Sequence, residues 1–415
     1  MTKQTNLIPK RRFKGLQNTS AWEQYKIDDY AEVLTGGTPK TQLIEYWKPK
    51  EIPWMSSGEV NKKRLKSTDN MISIKGFENS SVRWVKENSI LIALAGQGKT
   101  RGTVAINEIP LTTNQSIAAI VPKEGLYYEF LFQNLEKRYE ELRLISSGEG
   151  TRGGLNKKLV SDLVIISPPI EEQVKVGDFL KQLDTTIALQ QSKVEKIIAL
   201  KSAYLSEMFP AEGEDKPKRR FAGFTQAWEQ SKLSELANYR RGSFPQPYGD
   251  KDWYDEKKGM PFVQVVDVGN NLKLVNNTKQ KISKLAQPFS VFVEKDKVII
   301  TLQGSIGRVA ITQYPCYVDR TLLIFESYKR PINNYYFAYI IQQLFAKEKL
   351  KAPGGTIKTI TKEVLSEFHI FIPSIEEQNK IAEFLKQLDN TIAIHQHKLE
   401  KLRKLKKAYL HEMFI

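Results

Sequence analysis

The chain states one pattern twice, 205 residues apart, and that repetition limits its fold more than any other feature. Pro168-Pro-Ile-Glu-Glu-Gln leads through Phe-Leu-Lys-Gln-Leu-Asp and Lys-Val-Glu-Lys to Ala-Tyr-Leu-Ser-Glu-Met-Phe209. Pro373-Ser-Ile-Glu-Glu-Gln leads through Phe-Leu-Lys-Gln-Leu-Asp and Lys-Leu-Glu-Lys to Ala-Tyr-Leu-His-Glu-Met-Phe414. About two-thirds of the aligned positions are identical. A shorter echo opens each half: Pro9-Lys-Arg-Arg-Phe-Lys-Gly with Ala21-Trp-Glu-Gln, and Pro217-Lys-Arg-Arg-Phe-Ala-Gly with Ala227-Trp-Glu-Gln. Between these matched segments lie two long stretches that resemble each other only faintly. Like frames around unlike inserts suit one task performed at two addresses.

The matched segments predict long helices, 170–208 and 375–413. Apolar residues fall at Val176, Leu180, Leu183, Ile187, Val194, Ile197, Tyr204 and Met208. Steps of four and three, with Gln190 and Lys201 counted in, make the seam of a coiled coil. The second copy matches slot for slot, at Ile381, Leu385, Leu388, Ile392, His395, Leu399, Leu402, Lys406, Tyr409 and Met413. At 1.5 Å per residue each helix spans on the order of 55 Å. Neither insert is expected to cover its own helix, so the two seams should pack on each other, antiparallel, with the polar slots fixing register.

The inserts read as mixed α/β. Strands are expected at 82–85, 89–94, 102–106 and 116–121, with a helix at 127–144; the second insert repeats the order with strands at 290–293, 297–302, 308–311 and 322–325 and a helix at 334–349. The fold class is therefore α+β: two mixed α/β domains joined by two long helices in an antiparallel coiled coil, an internal repeat with pseudo-twofold character. The chain divides into a globule at 1–165, a helix at 166–209, a linker at 210–217, a second globule at 218–370 and a second helix at 371–415.

Lysine and arginine outnumber acids enough to give a formal net charge of +16. An excess of that size attracts polyanions by steering and counterion release, and nucleic acid is the first partner to consider. Cys316 is the single cysteine, so no internal disulfide forms and a reducing cytoplasm is the expected home. The N-terminus lacks the apolar stretch of a signal peptide, and no run approaches the ~18 apolar residues of a membrane span.

Ala93-Leu-Ala-Gly-Gln-Gly-Lys-Thr100 fits the loose phosphate-loop pattern, but a turn and a strand follow where a helix should begin. The matching stretch, Leu302-Gln-Gly-Ser-Ile-Gly-Arg-Val-Ala-Ile311, lacks Gly-Lys-Thr, so both read as hairpin loops. Their polar residues remain of interest: Gln97, Lys99, Thr100 and Arg101 in one half, Gln303, Ser305 and Arg308 in the other. Arginine matches the guanine edge and glutamine the adenine edge in the major groove. Arg240, Arg241 and Gln246, together with Arg152 and Lys358 on two further glycine-bearing loops, suit phosphate or base contact. Taken singly, each also fits a solvated loop. Signals for catalysis are missing: His369, His395, His397 and His411 all lie late in the chain, and the spacing of His395 and His397 places them on different helix faces, unsuited to a metal.

The frame Pro-x-Ile-Glu-Glu-Gln…Phe-Leu…Leu-Asp, given twice after α/β inserts, resembles that of the specificity subunits of type I restriction–modification systems. The openings Arg-Phe-x-Gly…Trp-Glu at Arg12 and Arg220, and the run Gly36–Pro39, are similar to that family too. The resemblance covers the whole chain. It implies a non-catalytic reader of double-stranded DNA, with each recognition domain binding one half of a split, asymmetric site. The helices, through seam residues Leu180, Leu183, Ile187, Val194, Tyr204, Leu385, Leu388, Ile392, Leu399 and Tyr409, would set the spacing and seat two modification subunits. Those subunits would carry S-adenosylmethionine and methylate adenines, this chain binding no cofactor or metal, and restriction subunits would join them. Two other classes stay open: a self-sufficient DNA-modifying enzyme, which would turn over alone, and a coiled-coil adaptor, which would bind no DNA selectively.

Overall fold

The computed structural model describes residues 7–17, 21–96, 100–145, 154–211, 213–351 and 365–415. The long helices run Ile170–Glu207 and Ile375–Met413, within one residue of the span that the periodicity predicts. Among the described residues no helix is long and apolar enough to cross a membrane.

Two compact units share the helices. One comprises Met1–Gln191 with Lys398–Ile415, the other Ser192–His397. Each unit therefore holds one insert, the start of the helix that follows it, and the end of the other helix.

The two inserts fold alike. In the first, a five-stranded sheet has the order Ala31–Thr35, Ile117–Pro122, Ile90–Ala93, Val104–Asn107, Arg64–Leu65. In the second, the order is Ala237–Arg241, Leu322–Tyr328, Val298–Thr301, Val309–Ile311, Leu272–Lys273. The central strands are buried on both faces, as their unbroken β-branched runs require. A four-stranded sheet packs beside each, built around Ile52–Met55 and Leu111–Thr113 in one unit and around Met260–Val263 and Cys316–Val318 in the other. Each insert closes on itself: Glu23–Lys26 pairs antiparallel with Val164–Ser167, and Glu229–Lys232 with His369–Ile372. Entry and exit thus lie side by side, so the insert is a module on a fixed base. The helix expected at 127–144 is broken into Tyr128–Lys137 and Tyr139–Leu144.

The short sequence echoes are the clamp between module and helices. Arg12 forms a buried ion pair with Glu172, and Arg220 one with Glu377 at 2.6 Å. Gln173 accepts from the Tyr127 backbone N–H at 2.9 Å, and Gln378 from that of Asn333 at 3.0 Å. Trp22 meets the ring of Phe414 at 6.4 Å, and Trp228 that of Phe209 at 6.4 Å. Each opening tryptophan therefore receives the phenylalanine that ends the other half's helix. Burying a side chain of that size contributes about 1.5–3 kcal/mol.

Every predicted seam residue is buried or half-buried. One expectation is corrected: the inserts do cover their own helices in part. Val176 and Leu180 lie in the core of the first insert, with Leu183 packed against it; Ile381 and Leu385 occupy the same places in the second, with Leu388 alongside. The helices still pair antiparallel within each unit. Phe179 meets Tyr409 at 4.9 Å in one, and Tyr204 meets Phe384 at 4.8 Å in the other. The polar slots fix register by ion pairs: Lys406 with Asp184 at 2.5 Å, and Lys201 with Asp389 at 2.5 Å. Burial pulls the Lys406 ammonium down, but Glu136 and Asp184 outweigh it and hold the group above the usual lysine range.

Candidate nucleic-acid interface

In both units the loops at one set of strand ends converge on a single tight turn. In the first it is Asn114–Ile117: the Ile117 N–H donates to the Asn114 carbonyl at 3.3 Å, and the Asn114 side chain accepts from the Ser116 N–H at 3.1 Å. In the second it is Asp319–Leu322, with the matching bonds at 3.0 and 2.9 Å. Three neighbours brace each turn. The Asn114 N–H donates to the Met55 carbonyl and that of Asp319 to Val263. The Leu94 N–H donates to Ser116, and that of Leu302 to Thr321. Gly37 donates to Thr113, and Ser243 to Val318. Gly36 and Gly242 sit so close to these carbonyls that a Cβ would lie 1.9 and 2.1 Å from an oxygen, and hence only glycine fits.

The hairpin loops reach the same place. Ile90–Ala93 and Val298–Thr301 pair antiparallel with the strands that follow, so a turn and a strand come after Thr100. Gly102 at φ +79° and Gly307 at φ +82° close the two hairpins by donating to the Ala93 and Thr301 carbonyls. The two arginines stand on equivalent hairpins but at different positions in them. Thr301 bonds Arg308 as Ala93 bonds Thr103, so the counterpart of Arg308 is Thr103, whereas Arg101 precedes its glycine.

The predicted contact residues separate accordingly. Gln97, Lys99, Arg152 and Lys358 lie outside the described residues. Thr100 is half-buried on its hairpin. Arg101 donates through Nε (3.1 Å) and Nη2 to the Arg143 carbonyl, a strut between hairpin and helix end. Arg308 is half-buried, its Nη1 3.5 Å from the Val268 carbonyl. Arg240 faces Glu326 at 3.8 Å. Arg241, exposed at the end of its strand, and Gln246, Gln303 and Ser305, exposed on loops, lie around the Asp319 turn.

The turn also gathers residues that the sequence does not single out. Tyr248 donates its hydroxyl to Asp319 at 2.8 Å and accepts from Gln264 at 2.6 Å. Burial and the Asp319 carboxylate push the Tyr248 phenol well up, so it stays protonated and donating. The exposed Arg320 guanidinium lies over its ring, 5.7 Å from the centroid. In the first unit Thr38 donates to the amide oxygen of exposed Gln115 at 2.6 Å. The one signal in the sequence is Asn/Asp followed two residues later by Ser/Thr, a weak turn signature.

The family model for the type I restriction modification DNA specificity domain matches twice, at residues 19–199 and 225–404. The chain belongs to the type I restriction–modification specificity subunits. The specificity subunit of the MjaIX enzyme of Methanocaldococcus jannaschii is 26% identical over 414 residues, covering 94% of this chain and 91% of its own. That of EcoR124I/EcoR124II from Escherichia coli is 26% identical over 152 residues, 36% and 38% of the two chains. The crystal structure of the type I S subunit from M. genitalium shares the fold, with a TM-score of 0.64 at 14% identity over 98% of this chain and 99% of that one. As a specificity subunit the chain is the non-catalytic component that recognises DNA sequence; nothing in these relatives supports a self-sufficient modifying enzyme.

Proposed function

We propose that this specificity subunit reads a bipartite, asymmetric DNA site, one half-site per unit, and seats two modification subunits that methylate adenines. The observation that carries this is the repeated geometry with unlike tips. The same braced turn and hairpin stand on the same clamp in both units, yet carry Asn114, Gln115 and Thr38 in one and Asp319, Arg320 and Phe244 in the other. The basic charge supplies the attraction to phosphate. S-adenosylmethionine belongs to the modification subunits, restriction subunits complete the assembly, and the cytoplasm is its place of work.

Two seats for a partner are supported by exposed apolar residues that recur at the repeat offset of 205. Leu189 is 69% exposed and Ile394 67%; Leu200 is 47% exposed and Leu405 43%. Replacing Leu189 or Ile394 by aspartate should lose one modification subunit from the complex, read by native mass, while the chain still folds. Retention of both subunits in either variant counts against these seats.

The helices serve as the ruler between half-sites. Paired insertions of one heptad in 170–208 and 375–413 should lengthen the unread gap and leave both half-site sequences as they were. Sequencing methylated adenines in a host that expresses the altered complex checks this. An unchanged gap, or a changed half-site, would sink the ruler.

A further inference from the structure

We infer that the second residue of the braced turn is a base-reading position in each unit, Gln115 taking adenine and Arg320 taking guanine. This rests on the DNA-reading role proposed above and names where the reading is done. The backbone of the turn is held alike in both units by bonds to three neighbouring loops. A fold that fixes the backbone of one exposed residue twice, and fills it with glutamine once and arginine once, separates presentation from identity. Those two side chains are the ones whose forked donors and acceptors match the major-groove edges of adenine and guanine.

Both are also oriented before any ligand arrives. Thr38 holds the Gln115 amide oxygen, which keeps a second lone pair to accept the adenine N6 amine while its own NH2 donates to N7. Arg320 makes no ion pair among the described residues, and its guanidinium rests on Tyr248. Gln264 and Asp319 lock that ring in turn, so the fork is presented with little rotamer freedom left to lose. Three other arginines near the rim are differently employed: Arg101 and Arg308 bond backbone carbonyls, and Arg240 faces Glu326.

The test uses the chain assembled with its modification subunits in a host free of other adenine methylation, with methylated adenines mapped by sequencing. R320A and R320K should each relax one guanine position in one half-site, with discrimination falling about 5- to 150-fold, while the other half-site stays intact. R320Q should move the preference at that position toward adenine. Q115A should relax one adenine position in the opposite half-site. Even loss of methylation in R320A, restored by R320K, would mean a phosphate contact and overturn the inference. So would half-sites that keep every position in all four variants. If R320A fails to assemble, R320K, which keeps the charge and the ring contact, decides the arginine and Q115A the glutamine. An unaltered complex that methylates without a bipartite pattern would instead defeat the proposed function, a separate result.

Discussion

Replacing Glu377 by alanine should destabilise the second unit by about 3–5 kcal/mol. The carboxylate is 1% exposed and faces Arg220, which is 14% exposed, at 2.6 Å; Trp228 donates its indole N–H to the same group at 3.2 Å. Taking away the acid leaves a largely buried guanidinium without its counter-charge, still donating to the Gln226 carbonyl at 2.8 Å, and it unties the opening echo from the base of the helix. Glu172→Ala should do the same to the first unit, where Arg12 and Glu172 are each 3% exposed. Unfolding of the purified chain by heat or denaturant, followed with a probe in each unit, measures both. A control separates lost charge pairing from lost packing: the double change Arg220→Met with Glu377→Met should cost less than Glu377→Ala alone, because no lone charge remains. A loss below about 1 kcal/mol, the range of an exposed pair, would show that the clamp is not what joins module to helix.

The helices are legible in the sequence because their seam is duplicated; the duplicated openings at Arg12 and Arg220 are visible too, but their pairing with Glu172 and Glu377 is not. A heptad seam depends on residues three and four apart, and the pattern survives translation into structure slot for slot, including Lys201 and Lys406, whose acids only the fold shows. Most strand cores were legible for the same local reason. The insert's cover over Val176 and Leu180 was not, since it depends on which sheet folds back onto the helix. The reading turn was the least visible. Asn114 and Asp319 look like ordinary turn residues until loops 56 to 77 residues away in sequence, at Met55, Gly37, Val263 and Ser243, are seen to hold them. Arg101 shows the opposite failure: glycine neighbours suggest a free guanidinium, and only the fold shows the Arg143 carbonyl that binds it.

Two modules on one frame should read independently. The paired ends of each insert make an exchange feasible, because residues 23–26 and 164–167 form the base on which the module stands. Residues 24–164 are to be replaced by the corresponding insert of another specificity subunit, and methylated adenines mapped for the parent and the hybrid. One half-site should change to the donor's sequence, with the second half-site and the gap unchanged. Each mismatched base pair costs about 1–3 kcal/mol, so the parent's sites should be all but unmethylated in the hybrid. Change in both half-sites together, or in neither, would contradict the account.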